Sequence, residues 1–442
     1  MFNRFCRRAE SAHSKQRVLA HKHPQARIAF ERMAGKMKAC MVAYAYYEGN
    51  GRIEQYAKAL VRRGDSVDVI ALDRGNTPNF QSVDGVNLYH IQTRKLRRES
   101  FSTYVFQVLM FMLRSFWFLA KKQFKNPYDV IHVHSVPDFL VFGALIPKLF
   151  HVPVILDIHD ILPEFYLTKF GVSERSVVFK FLVLVEKISI AFSNHVIIAN
   201  PIWRERLLRR SAKPEKVTVI GNYPDPRKFF PRSKSRSDGK FVLIYPGSLN
   251  WHQGLDIAIR GFAKVIEEMP DAEFRIYGEG PERENLTQLA RECGVEAKIL
   301  FSDFLPGKEI AEIMATSDLA VVPKRAKSVF GTEAASTKIM EFMAVGVPVI
   351  VSRTKIDALY HTDATVKFFD ADDSEELAKA ILFLYSNPAS RAELVKNALA
   401  YVTANNWETK KIEYLAIVDR LVEKKVNANL SETRHSMNKT ED

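Results

Sequence analysis

From Met37 onward, short apolar runs alternate with segments whose apolar residues recur at helical spacing. The runs at 38–44, 66–72, 86–91, 130–134, 154–158 and 195–199 predict buried strands, each bounded by turn residues. Between them a helix is predicted at 52–63, closed by Gly64, and a long apolar helix at about 104–122. The polar stretch 227–240, with Pro231, Ser233, Ser235, Ser237, Asp238 and Gly239, predicts a linker. A second series then begins, with strands at 241–245, 273–277, 299–301, 319–322 and 349–351 and helices near 255–268, 283–291, 309–317 and 337–345. Strands alternating with helices imply parallel sheets covered on both faces. The expected architecture is α/β, with two facing Rossmann-like domains at 37–226 and 241–405 that hold a ligand at the carboxyl ends of their strands. A helix at 406–424 is expected to return to the first domain; 1–36 reads as a basic arm and 425–442 as a disordered tail.

Composition narrows the possibilities. A chain of 442 residues with 47% hydrophobic content can bury more than one core, since single cores stop growing at roughly 250–300 residues. Its 64 Lys+Arg against 51 Asp+Glu leave +13, which suits a polyanionic partner, either phosphate groups or an anionic lipid surface. Cys6, Cys40 and Cys293 have neither the pairing of a disulfide framework nor the spacing of a zinc site, which points to a reducing compartment. The leader carries Arg4, Arg7, Arg8, Lys15 and Arg17 without an apolar core of signal length, so a cytosolic location is expected.

The segment 104–120 is apolar nearly all round, interrupted by Gln107 and Arg114 and flanked by Lys95, Arg97, Arg98, Lys121, Lys122 and Lys125. It falls short of the roughly 18–20 clean residues of a span. Two readings stay open: burial against the sheet, or an interfacial surface pressed into an anionic bilayer. The helix at 177–192, with Lys180, Glu186 and Lys187, is ambiguous in the same way.

Two strand-to-helix turns are rich in glycine, Glu48-Gly-Asn-Gly-Arg52 and Tyr277-Gly-Glu-Gly280. Small residues there let a phosphate approach backbone N–H groups and a helix dipole, or serve turn geometry alone. Glu54 replaces the third glycine of the dinucleotide fingerprint, which argues against NAD. Richer chemistry lies in Val322-Pro-Lys-Arg-Ala-Lys327 and Glu333-Ala-Ala-Ser-Thr-Lys-Ile-Met-Glu341. A strand, a loop with Lys324, Arg325 and Lys327, and a Ser336-Thr337 pair opening a helix that carries Lys338 make an anion site. Glu333 and Glu341 bracket it; carboxylates there suit sugar hydroxyls, since they repel phosphate.

Glu333 and Glu341, with seven residues between them and Phe342-Met-Ala-Val-Gly-Val-Pro-Val-Ile350 following, resemble the signature of the group 1 retaining glycosyltransferases of GT-B fold. The resemblance continues in Tyr245-Pro-Gly-Ser-Leu-Asn-Trp-His-Gln-Gly254, Ile276-Tyr-Gly-Glu-Gly-Pro281, Asn222-Tyr-Pro-Asp225, Tyr128-Asp-Val-Ile-His-Val-His134 and Asp157-Ile-His-Asp160, covering about 37–422. It implies that Glu333 lies against the donor sugar, that Glu341 holds the ribose hydroxyls, and that His159 faces the sugar across the cleft. Glu333 and His159 are thus the catalytic candidates. Glu341, Lys324, Arg325, Ser336, Thr337, Lys338, Gly247, Gly278 and Gly280 are the donor-binding candidates, and Gly49, Gly51, Arg52 and Asp160 belong to the acceptor side or a diphosphate loop. Many members place an Arg and a Lys in the loop after the first strand of the second domain, where this chain has Ser248 and Gln253. Lys324, Arg325 and Lys338 could supply the missing charge.

The expected activity is a retaining hexosyl transfer from a UDP- or GDP-sugar to a glycan or lipid-linked acceptor in polysaccharide or glycolipid biosynthesis. No cofactor, metal or nucleic-acid partner is expected, and the location is the cytoplasm, peripheral at the inner membrane face. Asp370-Ala-Asp372 reads as helix-opening carboxylates rather than a metal motif, and His132 and His134 as core residues of a strand. No Gly-x-Ser-x-Gly turn of a serine hydrolase occurs. The alternatives are a sugar-nucleotide epimerase of the same shape, which needs no acceptor, and a basic surface-binding protein without activity.

Overall fold

The computed structural model describes residues 36–438 except 76, 95–100, 172, 234–235 and 328. The basic arm, apart from Lys36, therefore lies outside the described residues, as do Lys95, Arg97, Arg98 and Ser235. Two sheets form. The first comprises β1 (Lys38–Ala43), β2 (Ser66–Asp73), β3 (Phe80–Val83), β4 (Val86–Thr93), β5 (Val130–His134), β6 (Val154–Ile158), β7 (His195–Ile198) and β8 (Val217–Val219), in the order β3-β4-β2-β1-β5-β6-β7-β8. Its helices are α1 (Gly51–Arg63), α2 (Phe101–Lys125), α3 (Leu145–Leu149), α4 (Leu162–Phe170), α5 (Val177–Phe192) and α6 (Pro201–Arg210). The short strands β3 and β8 escape the sequence pattern. β3 runs antiparallel beside β4 and is too exposed to leave an apolar run.

The second sheet comprises β9 (Phe241–Pro246), β10 (Ala272–Tyr277), β11 (Ile299–Ser302), β12 (Leu319–Val322), β13 (Val349–Ser352) and β14 (Lys367–Phe369), parallel and ordered β11-β10-β9-β12-β13-β14. Its helices are α7 (Leu255–Ala263), α8 (Arg283–Glu292), α9 (Gly307–Thr316), α10 (Val329–Glu333), α11 (Thr337–Val345), α12 (Lys355–Tyr360), α13 (Ser374–Ser386) and α14 (Pro388–Ala404). Alternate residues of β9 feed opposite cores: Leu243 and Tyr245 pack with Phe262 and Phe274, whereas Ile244 packs with Val322 and Phe342. The winding reverses between β9 and β12. A doubly wound sheet opens a crevice at such a point, at the carboxyl ends of the two strands.

Packing groups the described residues of Met1–Leu156, with Phe192–Asn194 and Leu415–Asp442, into one compact unit; Asp157–Ala191 and His195–Tyr414 form a second. The last helix, α15 (Trp407–Asn438), thus ends on the first unit. There Lys425 donates to the Tyr128 carbonyl at 3.0 Å and Asp419 pairs with Arg63 at 2.6 Å. The tail expected to be disordered from 425 is helical as far as Asn438.

Within the first unit, α2 has two different faces. Val108, Phe111, Ser115 and Leu119 are buried, while Phe106, Leu109, Leu113, Trp117 and Phe124 stand exposed at three-, four- and seven-residue steps. Lys122 belongs to the inner side, bound to Asp68 at 3.3 Å and the Tyr89 hydroxyl at 3.2 Å, so it is not one of the surface cations expected at this flank. The segment Ser102–Lys125 is long and apolar enough to cross a membrane, by length and composition alone. Its inner face is committed to the protein.

Candidate active site

The loops that leave β9 and β10 lie against each other, and glycine makes this possible. Gly247 N–H donates to the Tyr277 carbonyl at 2.8 Å, and Leu249 N–H to that of Glu279 at 2.8 Å. A Cβ on Gly278 would stand 1.9 Å from the Gly247 carbonyl oxygen, and one on Gly280 2.3 Å from that of Leu249. Both expected donor-binding glycines therefore serve first to let two backbones touch.

Gly247 has a further neighbour. At φ +147° it leaves room for Lys338, whose Cε and Nζ would lie 2.2 and 2.8 Å from a Cβ built there. The ammonium sits 3.5 Å from Gln253 Oε1 and 5.1 Å from the centre of the buried Tyr245 ring. Burial is the main reason its pKa falls to about 8; the charge of Lys324 adds to the fall and Glu341 opposes it. A cation destabilised in this way gains from an incoming anion. Burial likewise raises the pKa of Glu341, against the pull of Lys338 and Lys228.

Lys338 rides on the first turn of α11, whose N-cap is Ser336. The Ser336 side chain makes no capping bond, and its buried Oγ has no partner among the described residues. Thr337, the first residue of the helix, is exposed. This terminus thus presents backbone N–H groups, a hydroxyl and an ammonium within one turn.

The two other expected cations are already engaged. Lys324 is only 4% exposed; its Nζ lies 2.7 Å from Asp357 Oδ2 and donates to the Ala334 carbonyl at 2.7 Å. Arg325 binds Asp256, pairs with Asp372 at 3.1 Å and lies 4.5 Å from the Trp251 ring centre. These contacts tie down the loop after β12. Asp372 is accordingly a structural partner of Arg325, and Asp373 caps α13 through Glu375 and Glu376 N–H.

Glu333, at the end of α10, is 3% exposed. Arg206 of α6 grips both its oxygens, Nε to Oε2 and Nη2 to Oε1, each at 2.8 Å, and Lys355 Nζ lies 3.3 Å from Oε1. Burial disfavours the charged carboxylate, but the Arg206 hydrogen bonds and charge, with Lys355, outweigh it and hold its pKa below the usual range. Arg206 is 127 residues away in sequence, and no local pattern announces it.

Models of two families match consecutive parts of the chain: glycosyl transferase 4-like domain over residues 49–223 and glycosyl transferases group 1 over 226–400. The chain belongs to the group 1 glycosyltransferases. An uncharacterized glycosyltransferase of Methanocaldococcus jannaschii is 28% identical over 67% of this chain and 74% of its own. The D-inositol 3-phosphate glycosyltransferase of Acidothermus cellulolyticus is 23% identical over 86% of this chain and 87% of its own. Among solved structures, sucrose-phosphate synthase from Thermosynechococcus elongatus superposes with TM-score 0.71 at 18% identity, over 88% of this chain and 100% of that one. Anabaena HepE in complex with UDP-glucose gives 0.61 at 16%, over 89% and 100%. These structures establish the GT-B fold.

The remaining candidates of this glycosyltransferase are placed as follows. His159 Nε2 lies 3.0 Å from Asp157 Oδ2, a contact that fixes the ring, and Asp160 follows it half-buried. In the first unit, Asn50 caps α1 by accepting from Ile53 N–H at 3.3 Å, and Gly49 N–H donates to Glu54 Oε1 at 2.9 Å. In this structure the Glu54 carboxylate thus accepts from an amide of the Gly49–Gly51 turn, which also caps α1. Arg52 is 9% exposed, over the Tyr56 ring at 5.2 Å. His132 and His134 are buried on β5 beside Tyr56.

Proposed function

We propose that the protein transfers a hexosyl group from a UDP- or GDP-sugar to a glycan or lipid-linked acceptor, with retention at the anomeric carbon and without a metal ion. The observation that carries this reading is the start of α11, whose first turn carries the Ser336 hydroxyl, without a partner among the described residues, together with helix-terminal N–H groups and the Lys338 ammonium. All three suit a nucleoside diphosphate. The bond between the anomeric carbon and the β-phosphate oxygen breaks, the acceptor hydroxyl supplies the new oxygen, and its proton leaves on the departing diphosphate. Negative charge grows on that diphosphate, so a fixed cation and helix dipole lower the barrier more than they stabilise the bound donor.

In this scheme Lys338, Ser336 and Thr337 hold the diphosphate, Glu341 the ribose hydroxyls and Glu333 the donor sugar, with His159 on the sugar's other side. A cation at Lys338 takes the place of the loop pair that Ser248 and Gln253 replace, because its ammonium reaches back to Gln253 and Gly247. The UDP-glucose bound in a structure of the same fold supports a nucleotide-sugar donor. The exposed row on α2, with Leu149 and Phe150 beside it and the exposed Lys121 and Lys125, supports work at the inner, anionic face of a membrane from the cytoplasm.

The test is a thermal-shift panel of nucleotide sugars, followed by NMR of the product's anomeric centre. A true donor stabilises the folded state by mass action. A product of inverted configuration overturns retention, and an epimerised donor formed without acceptor overturns transfer.

A further inference from the structure

Glu333 is fastened by more than its fork with Arg206. Asn200, fully buried at the N-cap of α6, accepts from Trp203 N–H at 2.9 Å and donates its Nδ2 to the Glu333 carbonyl at 3.1 Å. One helix therefore holds both the main chain and the carboxylate of this residue. Arg206 is itself backed by Glu164 of α4, 3.9 Å from its Nη1. Glu164 and Glu186 of α5, both nearly inaccessible, are clasped together by Arg210, and Ser211 donates to Glu186. Three carboxylates (Glu333, Glu164, Glu186) thus meet three cations (Arg206, Arg210, Lys355), a balanced set running from α5 to the end of α10.

We propose that Arg206 is a positioning residue of the transfer: its fork fixes the Glu333 carboxylate in direction, so that the remaining lone pair accepts a hydrogen bond from the donor sugar. This deepens the proposed function and rests on its placement of Glu333. A carboxylate offers about four lone-pair sites, of which Arg206 takes two and Lys355 one. What is left is directional only while the fork holds. A lysine in place of Arg206 keeps the charge and loses the second bond. Removing the cation leaves the buried Glu333 with Lys355 alone, and burial then drives it towards protonation.

The experiment measures nucleotide release in single turnover with the full chain and UDP-glucose or GDP-mannose, whichever the wild type consumes, together with calorimetry of the matching nucleoside diphosphate. The variants are Arg206→Met, Arg206→Lys, Glu333→Gln and Arg206→Met with Glu333→Gln. Arg206→Met is expected to slow turnover about tenfold or more, with the acid limb of its pH profile moved to higher pH and nucleoside diphosphate affinity unchanged. Arg206→Lys should restore the position of the acid limb but not the full rate. In the Glu333→Gln background, Arg206→Met should cost nothing further, because the group it acts through is gone. The double variant also removes one charge of each sign, so no buried carboxylate is left without its partner. Losses that multiply in the double variant, or an acid limb unmoved in Arg206→Met, overturn the proposal while the reading of Glu333 stands. A Glu333→Gln enzyme with wild-type turnover overturns both.

Discussion

Lys338 offers the sharpest test of where the diphosphate sits. Its pKa of about 8 lies well below the ordinary 10.5, chiefly through burial. In the free protein the amine is therefore largely neutral above pH 8, whereas an anionic ligand selects the ammonium. Binding draws in a proton, and affinity for a nucleoside diphosphate should fall about tenfold per pH unit above pH 8, until the pKa of the complex is reached. If the diphosphate restores the ordinary value, the affinity lost across that window is on the order of 3 kcal/mol, an upper figure because water and Glu341 share the compensation. The apo protein should respond with the opposite sign. A lysine whose folded pKa is depressed binds fewer protons folded than unfolded between pH 8 and 10.5, so its contribution to stability rises with pH there. Lys338→Met should weaken nucleotide binding at pH 7 by about 1.5–3 kcal/mol and remove the slope above pH 8. Calorimetry of both proteins from pH 7 to 10 in parallel cancels the ligand's own titration. Equal slopes in the two, or a flat profile in the wild type, would refute the assignment.

Three other outcomes check the rest of the site. Glu341→Ala should weaken free nucleotide diphosphate, while Glu333→Ala should leave that affinity nearly intact and cut turnover; calorimetry beside single-turnover rates separates them, and the reverse pattern would mean the two roles are exchanged. Turnover should survive a chelator, and Asp372→Asn should spare it while lowering stability by about 1 kcal/mol through the lost Arg325 pair, read by thermal melting; activity restored only by manganese or magnesium would count against the metal-free site. Flotation with anionic vesicles should show binding that weakens with salt, with Lys121→Glu plus Lys125→Glu and with Trp117→Ser, and recovery of all the protein in the soluble fraction would leave the α2 face as ordinary surface.

The alternation of apolar runs and helical spacing, together with the two glutamates, was enough to read two parallel α/β units and the family from the sequence. These are properties of local period and short spacing, which a chain carries without being folded. Even the existence of a C-terminal helix followed from its pattern, although its length did not, because exposed turns that continue a helix leave no period to count. The tertiary structure decided how the charges are spent. Lys324, Arg325 and Lys338 look alike in sequence, yet Asp357, Asp256 and Asp372 engage the first two, and only the third stands beside an anion-ready helix end. Lys122 moved from the surface to Asp68 in the same way. Glu54 closed the glycine turn after β1, and Arg206 took hold of Glu333 from a helix 127 residues away. An ion pair depends on approach within about 4 Å, a distance that packing sets and that sequence separation does not encode.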